Sequence, residues 1–309
     1  MIEFAKESDF DTLKNLWKTC FPLDTDQFVD FYFQQQYRRE CTIVFRENNR
    51  LTAALQMLPY KMSFCGGEVN VAYISGAATF PQFQNQGMMA ALLKHSFQLN
   101  AQNQVAASVL IPQEGNLVNY YSKFGYQPFF EQNSRCLSIV ARESNHLEEI
   151  TLDNIEQAYR FFVEKWKNYD CRILKSLSQL KIVLAEYQLS GGQLLAWKQQ
   201  EKIFAAAFCY PCQETVYVKD LQAEKDYQKP FLEAIAKHYQ SENIHLTSQA
   251  SQQEAHEARG MLKIINIEAF LPYVQKDQRA IVLQMPENEQ VKYLLSLCKY
   301  LPFMTLMLD

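Results

Sequence analysis

The stretch Ala72-Tyr73-Ile74-Ser75-Gly76-Ala77-Ala78-Thr79, followed a few residues later by Gln84-Asn85-Gln86-Gly87-Met88-Met89-Ala90, decides how this chain is read. The first run is apolar and bounded by turn residues, which predicts a strand; the run from Gly87 to Ala101 has helical spacing. A helix N-terminus leaves its first backbone N–H groups without intrahelical partners, and such groups can hold a pyrophosphate. Glycine at 87 lets a ligand approach the backbone closely. The order strand, loop, helix therefore predicts a phosphate-binding turn.

Outward from that turn the elements alternate. Upstream, Ile2 to Phe4 reads as a strand, and a helix follows from Asp9 or Asp11 with Leu13, Leu16 and Trp17 on one face. A second helix is predicted over Gln27 to Gln36. Thr42 to Arg46 and Leu51 to Phe64 read as strands joined by a turn at Glu47-Asn48-Asn49, and Glu68 to Thr79 as a further strand. Downstream come a buried strand over Val105 to Ile111, a short helix over Leu117 to Phe124 and a strand over Phe129 to Val140. Alternation of this kind predicts an α/β sandwich and excludes a bundle.

Composition sets the outer limits. A chain of 309 residues exceeds one ordinary core, so two or three domains are expected. At 48% hydrophobic and 21% charged residues the chain reads as soluble and globular. No apolar run reaches the roughly 20 residues of a spanning helix, and Met1 to Glu7 is too polar for a signal peptide, so a cytoplasmic location is the expectation and no membrane partner is foreseen. A net charge of −4 argues against nucleic acid, which requires a basic footprint. The eight cysteines are scattered and mostly lie in apolar runs, which predicts reduced, buried thiols. Cys209-Tyr210-Pro211-Cys212 has metal or redox spacing, but it is read as two strands with Tyr-Pro as their turn. His95, His146, His238, His245 and His256 show no ligand spacing, so no metal is expected.

A weak internal repeat bears on organisation. Phe45 to Ala54 aligns without gaps onto Trp197 to Ala206, and Ala91-Leu92-Leu93-Lys94-His95 resembles Ala234-Ile235-Ala236-Lys237-His238. Two matches in the same order favour a duplicated domain. The loop before the second helix, Ala223-Glu224-Lys225-Asp226-Tyr227-Gln228, lacks glycine and carries two carboxylates that would repel phosphate. The second copy is therefore read as degenerate. The last sixty or so residues form a third segment, whose apolar end, Leu301 to Leu308, must dock on something.

Beyond the helix and buried strand lies Asn119-Tyr120-Tyr121-Ser122-Lys123-Phe124-Gly125-Tyr126. Together the two stretches resemble the GNAT superfamily of N-acetyltransferases: Gln84-x-x-Gly87 matches its cofactor loop, and Tyr121 to Tyr126 its Tyr-x-x-x-Gly-Phe/Tyr segment. The whole chain is similar to the Eis-like (enhanced intracellular survival) acetyltransferases, which carry a GNAT domain, a degenerate copy and a sterol-carrier-like C-terminal domain. The resemblance implies a fold class of α/β (α+β): tandem GNAT-like mixed-sheet domains over 1–145 and 146–250, and a reduced C-terminal α+β unit over 251–309 that ends at the active site. It implies acetyl-CoA as co-substrate, bound by Ala77, Ala78, Thr79, Asn85, Gln86, Gly87, Met88, Met89, Ala90, Tyr121 and Ser122. A primary amine or lysine side chain would be the acceptor, and homo-oligomerisation is left open.

In the implied mechanism a backbone N–H near Ala77 to Thr79 polarises the thioester carbonyl. The amine attacks, and Tyr126, with Tyr121 in reserve, protonates the departing thiolate. The α-carboxylate of Asp309 takes the part of base, directly or through water. Beside this stands the plainer reading in which both tyrosines are core aromatics with satisfied hydroxyls. Asp24, Asp26 and Glu40 are loop carboxylates that either line an amine pocket or face solvent. The alternative function is a non-catalytic CoA-binding or interaction module, favoured by the absence of positive charge from Gln84 to Gln86.

Overall fold

The computed structural model describes residues 1–113, 115–249, 257–298 and 301–307. Its contacts divide the chain into two compact units, Met1–Phe130 with Arg259–Leu297, and Glu131–Ala258 with Cys298–Leu308.

The first unit starts with β1 (Ile2–Phe4) and helices α1 (Phe10–Cys20) and α2 (Asp26–Gln35). The hydroxyl of Thr25 caps α2 by accepting from the Phe28 N–H at 3.2 Å. Leu13, Leu16 and Trp17 of α1 and Val29, Tyr32 and Phe33 of α2 are buried, as helical spacing requires. A meander follows of β2 (Thr42–Glu47), β3 (Arg50–Phe64) and β4 (Gly67–Thr79). Its two tight turns carry Asn48 and Asn49 at φ 48° and 63°, and Cys65 and Gly66 at 46° and 79°. Two successive positive φ values match the twist of antiparallel strands. Helix α3 (Met88–Gln102) crosses to β5 (Ala107–Leu110), which runs parallel to β4. Then come α4 (Gly115–Ser122) and β6 (Gln127–Ser138).

The second unit contains β7 (Leu147–Ile150), α5 (Ile155–Trp166), β8 (Ile173–Leu174), α6 (Leu177–Leu189), β9 (Gln193–Gln199), β10 (Lys202–Cys212), β11 (Thr215–Ala223), α7 (Gln228–His238) and β12 (Asn243–Ser248). Its strand order is β6-β12-β11-β10-β9-β7. The chain then supplies the first unit with β13 (Glu257–Ile264), α8 (Arg279–Gln284) and α9 (Glu287–Leu297). The strand order there is β1-β2-β3-β4-β5-β13.

Each unit thus holds an antiparallel meander, a crossover helix and a parallel strand: β2-β3-β4-α3-β5 and β9-β10-β11-α7-β12. The irregularities coincide as well. The register slips at Thr52 in β3 and at Phe204 in β10, and again opposite Leu55 and Ala207. The gapless sequence alignment equates Thr52 with Phe204, and Leu55 and Ala207 are the next residues beyond its end. Bulges are placed features of a strand, so matched bulges add weight to the repeat.

Two readings of the cysteines are corrected. Tyr210-Pro211 is not a turn: β10 runs through it to Cys212, and the turn falls at Gln213-Glu214. Proline is tolerated there because β10 pairs with β9 only as far as Cys209, leaving Pro211 paired on one side, with Val216 of β11. The thiols are not all free either. Cys171 and Cys298, 127 residues apart, form a disulfide. It sits beside the docked C-terminal segment: Phe303 donates its N–H to the Cys171 carbonyl at 3.0 Å and accepts from Ile173 at 3.1 Å, and Lys175 Nζ donates to the Thr305 carbonyl at 2.5 Å. Phe303 and Met304 are buried, and Leu306 joins the core formed by α5 and α6. Closing a loop of this length restricts the unfolded chain, so Cys171→Ser with Cys298→Ser is expected to lower unfolding free energy by roughly 2–5 kcal/mol. Urea titration of both proteins under oxidising conditions measures this; coincident curves would show that the bridge contributes nothing.

Candidate active site

The site is built around an irregularity in β4. Ala54 faces Ala78 and Gln56 faces Ser75, so Gly76 and Ala77 stand together opposite Leu55. Gly76 adopts φ +57°, and a Cβ there would lie 2.6 Å from the Trp17 ring. Both backbone and space demand glycine. A bulge leaves a residue outside the ladder and re-aims its peptide groups.

The same end of β4 parts from its parallel neighbour. Pairing with β5 runs from Val71↔Ala107 to Tyr73↔Val109, whereas pairing with β3 continues to Ala53↔Thr79. Beyond Tyr73 the pairing with β5 stops, which leaves the peptides of Ser75 to Thr79 paired with β3 alone. The loop that follows holds itself in shape. Gln84 Nε2 donates to the Thr79 carbonyl at 3.1 Å and Gln86 Nε2 to the Gln82 carbonyl at 3.3 Å. Asn85 and Gly87 take φ 60° and 81°. The first α-helical bond of α3 runs from the Ala91 N–H to the Gly87 carbonyl at 3.0 Å. The N–H groups of Met88, Met89 and Ala90 therefore have no partner within the helix. A Cβ at Gly87 would meet nothing within 4 Å, so this glycine serves backbone conformation and leaves the approach open.

The residues singled out from the sequence fall as follows. Ala77, Met88, Met89, Tyr121 and Tyr126 share one apolar cluster with Ile74 and Leu110. Thr79, Asn85, Gln86, Gly87 and Ala90 flank it along the loop and first helical turn. Ala78 looks the other way, into a small cavity with Leu13, Trp17 and Phe33. Ser122 is exposed and turns its hydroxyl back to the Val118 carbonyl at 2.8 Å. Asp309 lies outside the described residues. Of the loop carboxylates, Asp24 accepts from Trp17 Nε1 at 2.7 Å and Asp26 pairs with Lys18 at 2.5 Å.

The two tyrosines differ in setting. Tyr126 is 1% exposed, with its hydroxyl 2.6 Å from Ser108 Oγ on β5. Burial drives its pKa far above the ordinary value, against the smaller opposing effect of the Ser108 hydrogen bond. Tyr121, 9% exposed, is pushed up to about 12, chiefly by burial and further by Tyr120. Both stay protonated near neutral pH and are donors rather than bases.

The corresponding place in the second unit is closed. β11 pairs with β12 from Thr215↔Asn243 to Lys219↔Thr247, two steps further than β4 with β5. Its bulge carries Asp220 at φ 52°, in the register position that Gly76 holds in β4. Asp220 is 2% exposed and ion-paired with the equally buried Arg172, and it accepts from Gln222 Nε2 at 2.9 Å. The Arg172 guanidinium lies 5.3 Å from the Trp166 ring and 5.0 Å from that of Phe303. Side chains fill what is open in the first unit. Among the described residues no His/Cys/Asp/Glu group could hold a metal ion, and no helix is long and apolar enough to cross a membrane.

A bulged strand, the end of its pairing with a parallel neighbour and the start of a helix together define the candidate site of the first unit, an α/β domain. Residues 1–129 match the acetyltransferase (GNAT) domain family. The fold is similar to that of a GCN5-related N-acetyltransferase from Anabaena variabilis, at TM-score 0.74 and 17% identity over 88% of this chain and 74% of that one. It is similar to a probable N-acyltransferase from Enterococcus faecalis (0.73, 15%, 88% and 74%) and to Eis1 from Mycobacterium abscessus (0.63, 12%, 88% and 75%). No curated protein matches the sequence.

Sequence reasoning missed the bulge, although a glycine within a strand pattern signals one. It also missed the polar residues packed beneath it, which no local pattern announces.

Proposed function

We propose that the chain is an N-acetyltransferase that moves the acetyl group of acetyl-CoA directly to a primary amine, with the chemistry confined to the first unit. The end of β4–β5 pairing beside the open start of α3 carries this reading, since it sets unpaired strand peptides next to helix N–H groups suited to a pyrophosphate. A bulge N–H of β4 polarises the carbonyl, the amine adds, and a tyrosine hydroxyl protonates the leaving thiolate. The motif names Tyr126 as that donor. Burial favours Tyr121, which is nearer the surface and less costly to ionise. The Asp309 α-carboxylate remains the proposed base. The second unit is a degenerate copy whose Asp220–Arg172 pair occupies the place of the cofactor. The neutral loop supports a second reading, a module that binds CoA without turnover.

Calorimetry should give one acetyl-CoA per chain, lost in Gly87→Glu, which forces a side chain and a negative charge onto the helix start. Two equivalent sites, or binding unchanged in that variant, would contradict the assignment. The pH dependence gives a further check. A donor whose pKa is raised to about 12 keeps its proton throughout the ordinary range. kcat/KM should therefore rise as the acceptor amine deprotonates and not fall again below roughly pH 10. A descending limb near neutrality would exclude the tyrosine as donor.

A further inference from the structure

A chain of buried polar groups lies directly beneath the β4 bulge. Tyr32 of α2 has no exposed surface, yet its hydroxyl lies 2.6 Å from Ser75 Oγ, on the residue immediately before Gly76. The same hydroxyl accepts from Gln56 Nε2 at 3.0 Å, and Gln56 Oε1 accepts from the Arg38 N–H at 3.1 Å. Gln56 is fixed at both ends, and it is the register partner of Ser75 across β3 and β4. The Tyr32 ring stacks 4.2 Å from Trp17, the ring that occupies the space a Cβ on Gly76 would need. One residue thus holds the strand by hydrogen bonding before the bulge and backs the tryptophan that packs against it.

Burying three polar side chains together is costly unless each is satisfied, and an apolar trio would pack a strand equally well. The second unit differs at this position. At the equivalent register, where the bulge is filled by Asp220, the facing pair is Phe208 and Lys219. The tyrosine–serine–glutamine chain accompanies the open bulge, whereas the buried polar groups at the closed one are Asp220, Arg172 and Gln222.

We infer that Tyr32 is a positioning residue for acetyl transfer, holding through Ser75 the aim of the bulge N–H groups at the thioester carbonyl. This rests on the proposed function of the first unit. Misaiming such a donor by a fraction of an ångström weakens stabilisation of the oxyanion more than it weakens binding, because the cofactor is held mainly by its pyrophosphate.

The test is Tyr32→Phe in the full chain, which keeps the ring on Trp17 and removes only the hydroxyl. With a reactive amine, kcat should fall by about 10-fold or more while KM for acetyl-CoA changes less than about 2-fold. A second readout needs no acceptor: the carbonyl resonance of acetyl-CoA carrying ¹³C at that carbon. Bound to the unaltered protein it should move from its free position, and in Tyr32→Phe it should move back towards it; Ser75→Ala should do the same. If the unaltered protein binds acetyl-CoA and shifts the resonance, but both variants match it in resonance and kcat, Tyr32 only packs the core and the inference falls. If the unaltered protein binds no acetyl-CoA, the proposed function itself fails.

Discussion

Tyr121→Phe is expected to lower turnover by about 10²-fold or more, with acetyl-CoA affinity and stability close to those of the unaltered protein. Tyr126→Phe should do the opposite. The Tyr126 hydroxyl is buried against Ser108, so its removal strands a buried hydroxyl and should cost about 1–3 kcal/mol of stability. Turnover should drop only a few-fold. The contrast follows from accessibility. A proton donor must meet the departing thiolate, and a residue 1% exposed and already engaged does so less readily than one 9% exposed. Ionisation is also harder for Tyr126, since burial raises its pKa above that of Tyr121. Steady-state kinetics and thermal melts on both variants decide the matter. The reverse pattern would return the role to Tyr126, the residue that the Phe-Gly-Tyr step points to. Equal loss in both would mean that the pair acts as a unit across its 5.8 Å ring contact.

The second large effect is expected in the second unit. Asp220→Asn keeps a residue type that tolerates positive φ, so the backbone at the bulge is undisturbed. It removes the charge facing Arg172, which is itself 2% exposed. Neutralising the buried carboxylate that faces this guanidinium beside Trp166 and Phe303 should cost about 3–5 kcal/mol. Adding Arg172→Met should recover a large part of that loss, because replacing both members of a buried pair is far cheaper than removing one. Chemical denaturation of the single and double variants measures it. Acetyl-CoA binding should be unaltered in any variant that remains folded, because the proposed cofactor site lies in the first unit. A double variant no more stable than Asp220→Asn alone would show that the pair is not the source of the cost.

The features legible in the sequence were those set by neighbouring residues. Helix spacing in α1 and α2, the Asn48-Asn49 turn and the open loop before α3 all follow from short-range patterns, and their predicted limits lie within a residue or two of the observed ones. The two hairpins that the sequence aligns slip register at matching residues, Thr52 and Phe204. Contacts between distant segments were not legible. Cys171 and Cys298 are 127 residues apart, and scattered cysteines look alike whether free or paired. Nothing near Arg172 in sequence announces Asp220, and nothing near Tyr32 announces Ser75 and Gln56. Pro211 misled because proline usually marks a turn, and only the length of β9 shows that its side of β10 is unpaired. In the candidate site, Gly87 and its loop could be named beforehand, but not Gly76 and its bulge. The ranking of the two tyrosines could not, because it depends on burial that the motif does not encode.

Thiol release from acetyl-CoA in the presence of a panel of primary amines, with Gly87→Glu in parallel, tests the central claim most directly. Release that depends on at least one amine, yields the acetylated amine and disappears in Gly87→Glu is the predicted result. Acetyl-CoA bound at one site per chain without amine-dependent release, or release that persists in Gly87→Glu, would contradict acetyl transfer at this site.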